Sequence, residues 1–277
     1  MKEILLTNDD GFDSLGLKSL KEALSALGRV VVVAPAREKS ACGHGLNISQ
    51  PLFLTPIEKD YYKLDDGSPT DCVYLALNTL YKNRKPDLIV SGINIGCNMG
   101  EDVTYSGTVA GAMEGTLLGV PSMAISQLVP KDGALPESYA LAQQVANDLA
   151  RKILEGNPLP PRRFLNVNIP IGTESKGYKI TELGMRIYGN HIAESISPRG
   201  KRYYWLGMDT LEWQERSQRK ASDESCGAES RADFALDSGA QELCSDFAAV
   251  MSGYVSITPL DVNLTSYQDM RALRQWL

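Results

Sequence analysis

Two apolar runs near the start of the chain, Ile4-Leu5-Leu6 and Val30–Val33, bracket a stretch in which Leu17, Leu20, Leu24 and Leu27 recur at helical spacing. Asp13 or Ser14 can cap that helix, and Gly28 can end it. The second run is continuous and β-branched, as in a strand buried on both faces. This pattern predicts a β-α-β unit, which brings a right-handed crossover and a parallel sheet with it.

The first run empties into Asn8-Asp9-Asp10-Gly11. Open α/β sheets hold their ligands at such strand ends. Two adjacent carboxylates repel unless a proton or a cation sits between them. A divalent metal is the simplest remedy, but the same four residues are good turn chemistry. On them alone, a metal site and a solvated turn are both open readings.

Composition narrows the choice. The 277 residues are 43% hydrophobic and 22% charged, ordinary for a globular protein. A formal net charge of -6 argues against a broad surface for nucleic-acid polymers or anionic membranes. Apolar runs fall short of the ~20 residues that span a bilayer, and Asn8-Asp9-Asp10 comes too early for a secretory leader. Cys42, Cys72, Cys97, Cys226 and Cys244 form no C-x-x-C pair and read as reduced thiols of a cytoplasmic protein. His44 and His191 are too few for a multi-histidine centre, so a metal here is a hard, oxygen-bound one such as Mg2+ or Mn2+.

Further on, Ala34–Gly45 is a small, polar loop at the end of the second strand, and Asn47–Leu64 reads as extended, with antiparallel pairing open to it. Ser68-Pro69-Thr70-Asp71 combines a capping box with proline at the first helical position, predicting a helix to about Tyr81. Asp87–Ser91 reads as a strand that empties into the loop Gly92–Gly100, where Gly92, Gly96 and Gly100 would let backbone approach a ligand. Ser106-Gly107-Thr108 opens a helix of small residues. Ser122–Ser126, a helix over Glu137–Glu155 and a strand over Phe164–Ile169 complete an α/β core, residues 1–177. Residues 178–213 alternate aromatics and charges and read as a β-hairpin or arm whose exposed aromatics offer a partner surface. Residues 214–246 are a polar insert read as mobile. Residues 247–277 carry a strand at Tyr254–Thr258 and a terminal helix over Ser266–Leu277, with Met270 and Leu273 on one face.

In a parallel sheet the loop ends bearing Asn8, Asp9 and Asp10, Ser40, Asn94 and Asn98, and Ser106 to Thr108 meet on one edge. Carboxylates, a hydroxyl and a carboxamide suit one divalent cation with open water positions. A helix N-terminus would cradle a phosphate. Together they imply phosphoryl transfer to water. Taken singly, Ser40 and Asn94 are turn residues and Ser106 a helix cap. His44 is either a proton donor to the leaving oxygen or a hydrogen-bonded loop residue.

Several segments together are specific: Leu6–Gly11, Val33-Ala34-Pro35 leading to Ser40-Ala41, Gly67–Val73, Ser91–Gly100, Tyr105–Ala112 and Tyr254–Leu260. By these the chain resembles the SurE family of nucleotidases, over nearly its whole length. The resemblance implies a metal-dependent phosphatase for nucleoside 5′- and 3′-monophosphates, with some action on short polyphosphate, by metal-activated water. It implies one cation held by Asp9, Asp10, Ser40 and Asn94, with Asn8 beside the catalytic pair Asp9 and Asp10. Phosphate would lie at Asn98, Ser106, Gly107 and Thr108. The implied fold is a Rossmann-like, mostly parallel doubly wound sheet, with a projecting β-hairpin and a C-terminal segment exchanged within a homodimer or homotetramer. The polar insert is longer than the family's usual connection.

Other classes fit less well. An aspartyl-nucleophile phosphatase of the haloacid-dehalogenase kind needs Asp-x-Asp, whereas Asp9 and Asp10 are adjacent. The alternative is a non-catalytic, Mg-dependent nucleotide-binding or signalling module; a receiver-type module would need a phospho-accepting aspartate in the region where Asn94 stands. A dinucleotide-binding oxidoreductase needs a G-x-G-x-x-G that does not follow the first strand.

Overall fold

The computed structural model describes residues 1–130, 136, 138–157, 159–187, 192–206, 212–214, 243–267 and 269–276. Cys226, His191, Glu137 and almost all of the polar stretch 214–246 lie outside the described residues.

The chain begins with β1 (Glu3–Thr7), α1 (Leu15–Leu24) and β2 (Arg29–Pro35). Ser14 rather than Asp13 is the cap, its hydroxyl accepting from the Leu17 N–H at 3.3 Å. The helix stops at Leu24, short of Gly28; Leu27 still packs on the core, from a turn. β3 (Phe53–Glu58) and β4 (Tyr61–Asp65) follow as an antiparallel pair. α2 (Pro69–Thr79) has its capping box in place: Ser68 Oγ accepts from Asp71 N at 3.1 Å, and Asp71 Oδ2 accepts from Ser68 N at 2.9 Å. Then come β5 (Leu88–Ile95), a 3-10 turn over Gly100–Thr104, α3 (Gly107–Leu117), β6 (Ser122–Gln127), α4 (Ala140–Leu154) and β7 (Arg163–Ile169).

One expectation fails at β5. The strand does not end at Ser91 but continues to Ile95, so Asn94 sits on a strand rather than in a loop. A shift of register between Gly92 and Asn94 lets the chain rejoin β6, with Asn94 opposite Ser126. Gly92 looked like the end of a strand; it marks a bulge within one.

The strands form a ten-stranded sheet in the order β13-β8-β14-β7-β6-β5-β1-β2-β4-β3, where β8 is Tyr178–Glu182, β13 is Cys244–Ser245 and β14 is Val255–Asp261. Pairing is parallel except for β3 with β4 and β7 with β14. β9 (Met185–Ile187) pairs with β12 (Glu212–Gln214), and β10 (Ile192–Ile196) pairs with β11 (Arg202–Leu206) in a separate hairpin whose strand residues are all exposed. α5 (Asp246–Met251) lies beside β14. The terminal helix is only α6 (Asp269–Leu273), with Met270 and Leu273 exposed. So short a helix gains little from its own hydrogen bonds.

Both faces of the sheet are covered. Ile4, Leu6, Val90, Met123, Ile125 and Val167 pack under α1 and α4. Leu5, Val31, Val33 and Ile89 pack under α2, while Ala124 and Phe164 lie under α3. The α3 side therefore receives the odd-numbered positions of β1, including Thr7 and then Asp9. Gly107, Gly111 and Gly115 form the face that α3 lays on the sheet. A Cβ at Gly111 would stand 2.9 Å from both Ser91 Oγ and Thr7 Cγ2, and one at Gly115 2.6 Å from Ile89 Cδ1. These absent side chains bring the start of α3 down onto the end of β1.

Candidate active site

The site lies where β1, β5 and α3 meet. Asp9 is 3% exposed. Its Oδ2 accepts from the Thr108 N–H at 3.1 Å, and its Oδ1 accepts from the Thr108 hydroxyl. A Cβ at Gly107 would stand 2.8 Å from Asp9 Oδ2 and 3.0 Å from Cys42 Sγ, so only glycine lets the helix and the carboxylate come together here. Ser106 caps α3, its hydroxyl accepting from Val109 N at 3.0 Å. The helix's positive end is thereby turned toward a carboxylate.

Asp10 accepts from the Ile95 N–H at 3.3 Å, which joins it to the end of β5. Burial, and then the charge of Asp9, push its carboxyl up to about 7. Burial raises Asp9 as well, against the opposing hydrogen bonds from Thr108. Glu38 adds negative potential to both; sequence reading takes Ser40 from this loop but not Glu38, two residues before it.

Asn8 holds the turn rather than facing a ligand through its amide nitrogen. Nδ2 donates to Gly11 O at 3.0 Å and Ser14 Oγ at 2.8 Å, while Oδ1 is buried without a hydrogen-bond partner. Asn94 Nδ2 donates to Gly96 O at 2.8 Å, which leaves the side-chain oxygen as the atom that could hold a cation. The Ser40 loop reaches Asp9 through its backbone, Lys39 N donating to Asp9 O at 2.7 Å. The Ser40 hydroxyl itself is exposed and donates to Glu38 Oε1 at 2.9 Å. Asn98 is turned away from the carboxylates: Nδ2 donates to Ser126 Oγ at 2.8 Å and its backbone N–H to Asn168 Oδ1 at 2.9 Å. Its carbonyl accepts from Asn166 at 2.8 Å and Asn168 at 3.1 Å. Asn166 and Asn168 were not singled out in the sequence. Their signal was there: two amides at alternate positions of an apolar strand put polar groups on one face.

His44 Nε2 lies 2.7 Å from Oε2 of Glu114, a buried residue of α3. The same loop is fixed by Gly43 N donating to Tyr105 O at 2.8 Å and Asn47 N donating to Asp71 Oδ1 at 2.8 Å.

These residues fit a hard cation. Asp9 and Asp10 are adjacent, largely buried and raised toward protonation when nothing neutralises them. Asn8 Oδ1 has no partner, and no group of three His, Cys, Asp or Glu side chains suited to a metal occurs among the described residues. Amide and hydroxyl oxygens must complete the set, which is the donor chemistry of Mg2+ or Mn2+. A cleft of about 560 Å³ beside α1, lined by Phe12, Lys21, Glu58 and Tyr61 among others, is a different place. Its Lys21 is already 2.6 Å from Glu58, which ill suits it to an anion.

An α/β sheet carrying paired carboxylates and a helix N-terminus at one edge defines a protein built for anionic or metal-bound ligands. Comparison with known proteins makes the class particular. The family model described as Survival protein SurE matches residues 4–190, and the chain belongs to that family. It is 51% identical to the 5'-nucleotidase SurE of Helicobacter hepaticus over 282 residues, covering 100% of this chain and 99% of that protein. The 5'-nucleotidase SurE of Wolinella succinogenes is also 51% identical, over 281 residues, with 100% of both covered. A crystal structure of the SurE protein from Aquifex aeolicus, 39% identical, superposes with a TM-score of 0.76 over 99% of each chain. The signalling-module alternative finds no support in these relatives.

Proposed function

We propose that this chain is a metal-dependent phosphatase that hydrolyses nucleoside 5′- and 3′-monophosphates to nucleoside and phosphate, with short polyphosphate as a further substrate. The observation that carries the reading is the buried Asp9-Asp10 pair against the N-terminus of α3, in a chain whose relatives are named 5'-nucleotidases. Asp9, Asp10, Ser40 and Asn94 would hold one Mg2+ or Mn2+ per subunit. When bound, the cation supplies Lewis acidity to the phosphoryl group and to water.

The chain's own residues do the rest. Thr108 fixes Asp9 through two hydrogen bonds, which leaves that carboxylate a poor nucleophile and favours water as the attacking group. The new P–O bond comes from water, the ester P–O bond breaks, and the nucleoside oxygen leaves with a proton. His44 would supply that proton as the imidazolium: with Nε2 2.7 Å from Glu114 Oε2, Nδ1–H is the donor left for the leaving oxygen, which returns the ring to its neutral form. Ser106 and Gly107, at the N-terminus of α3, present the phosphate side of the site, with the α3 dipole favouring the anion, while the donors of Asn98 are spent on Ser126 and Asn168 and hold the loop from behind.

Self-association through the β10–β11 hairpin and the C-terminal segment is supported by apolar side chains left uncovered on both: Tyr204, Trp205 and Leu206, then Leu264, Tyr267 and Trp276. Cytoplasmic placement is supported by Cys42, Cys72 and Cys97 standing as free thiols. The test of the activity is phosphate release from a panel of nucleoside monophosphates, with and without added Mg2+ or Mn2+. Release that is equal without divalent metal, or absent with it, ends the proposal.

A further inference from the structure

Asp246 belongs to α5, well away in sequence from every residue of the site. It is 0% exposed, yet its carboxylate is fully engaged. Oδ2 accepts from the Gly100 N–H at 2.8 Å. Oδ1 accepts from the Gly184 N–H at 2.8 Å and from its own neighbour Phe247 N at 2.9 Å. Bonds of this kind, from N–H to a charged oxygen out of water, are the stronger sort.

Gly100 is where this matters. It opens the 3-10 turn that follows Asn98 and delivers the chain to Ser106. The far end of that turn is continuous with the cap of α3, since the N–H groups of Tyr105 and Ser106 both donate to Asp102 O at 3.1 Å. The contact is close as well as polar. Gly100 has φ +56, and a Cβ there would stand 2.8 Å from Phe247 Cε2 and 3.0 Å from Gly184 O. Glu101 Oε2 accepts from Arg186 N at 2.6 Å beside it. On the other flank, Asn98 is tied to Ser126 and Asn168. The segment from Asn98 to Thr108 is thus clamped between the sheet and α5.

We propose that Asp246 is a positioning residue for the phosphate side of the site, setting the place of residues 98–108 through its bond to Gly100. This rests on the reading of that segment as the phosphate-binding one. The same carboxylate also grips Gly184, at the turn between β8 and β9, so the root of the strands outside the core and the site loop share one anchor.

Asp246→Asn is nearly isosteric but replaces one acceptor oxygen with an NH2 donor, which cannot serve Gly100 and Gly184 together. In the full-length, Mn2+-loaded protein we expect the inhibition constant of inorganic phosphate and the KM for a nucleoside monophosphate each to rise about tenfold or more, with kcat falling less. Mn2+ affinity, set by Asp9 and Asp10, should stay within about twofold, well inside a single-bond effect. Trp213→Ala strips the ring stacked at 5.5 Å on Phe247 without touching the carboxylate; it should melt lower and keep the wild-type phosphate constant. A wild-type phosphate constant in Asp246→Asn, or an equal rise in Trp213→Ala, overturns the proposal. If Asp246→Asn does not fold, Asp246→Glu, which keeps the carboxylate but moves the acceptor that Gly100 N reaches at 2.8 Å, is read by the same criterion. Direct titration of phosphate ion keeps the test independent of turnover: a wild type that binds phosphate but hydrolyses no nucleotide would sink the proposed function and leave this inference standing.

Discussion

The two sides of the site are built differently. On the inner side, β1 and α3 meet closely: Asp9 is bonded to Thr108, and at Gly107 even a Cβ would stand 2.8 Å from Asp9 and 3.0 Å from Cys42. On the outer side, the loop bearing Ser40 and His44 lies in solvent and is fastened at intervals, through Lys39, Gly43, His44 and Asn47. Asp9 is aimed by packing that cannot shift cheaply, because α3 sits on the sheet through three glycines. Ser40 is aimed by one exposed bond to Glu38, which a bound cation would displace at little cost. The difference suggests an inner side that fixes the charge and an outer side that adjusts to what binds.

The comparison breaks most visibly at the carboxylates. Asp9→Asn and Asp10→Asn should each lower phosphate release by roughly a thousandfold or more, about 4 kcal/mol, while circular dichroism and melting show the fold retained. Turnover near wild type in both variants would remove the inner side from the chemistry.

Next in size is Thr108→Val, which keeps the β-branch and deletes the hydroxyl donated to Asp9. We expect a loss of about 1–3 kcal/mol in thermal or denaturant stability, since the buried carboxylate is left short of a donor. Thr108→Ser should recover most of it. Equal stability in valine and serine variants would mean that the hydroxyl contributes little.

The third prediction concerns pH. The Asp10 carboxyl, pushed up to about 7 by burial and by Asp9, carries a proton below that value, and a cation must displace it. Metal affinity should therefore fall by up to about tenfold per pH unit below that point and level off above it, with proton release on binding at the lower pH. Calorimetric titration of Mn2+ below and above neutrality reads both. A flat affinity across this range would show that Asp10 is already ionised in the metal-free protein.

Smallest are the outer residues. Ser40→Ala should weaken metal binding by roughly 1 kcal/mol, one hydroxyl's worth. His44→Ala should cost more than about tenfold in kcat if the imidazole gives the leaving oxygen its proton. A smaller loss leaves it a loop anchor for Glu114. If Ser40→Ala proved as damaging as Asp10→Asn, the contrast between a rigid inner side and an adaptable outer one would fail.

Much of this architecture was written in the chain. Leu17, Leu20 and Leu24 between Ile4–Leu6 and Val30–Val33 required a crossover, and Ser68-Pro69-Thr70-Asp71 announced the start of α2, because periodicity and capping are local properties. So was the gathering of Asp9, Asp10, Asn94, Ser106, Gly107 and Thr108 at one edge, which follows from parallel strands all ending on the same side. Tertiary structure alone decided the rest. That Asn94 lies on a strand depended on β6 supplying a partner across the bulge at Gly92. That Thr108 binds Asp9, that Asn166 and Asn168 hold Asn98, and that Asp246 reaches Gly100 are all pairings between residues far apart in sequence. No local pattern encodes which buried donor meets which distant acceptor; the packing of α3 and α5 against the sheet makes that choice, since a buried polar group must find its partner wherever the fold has placed one.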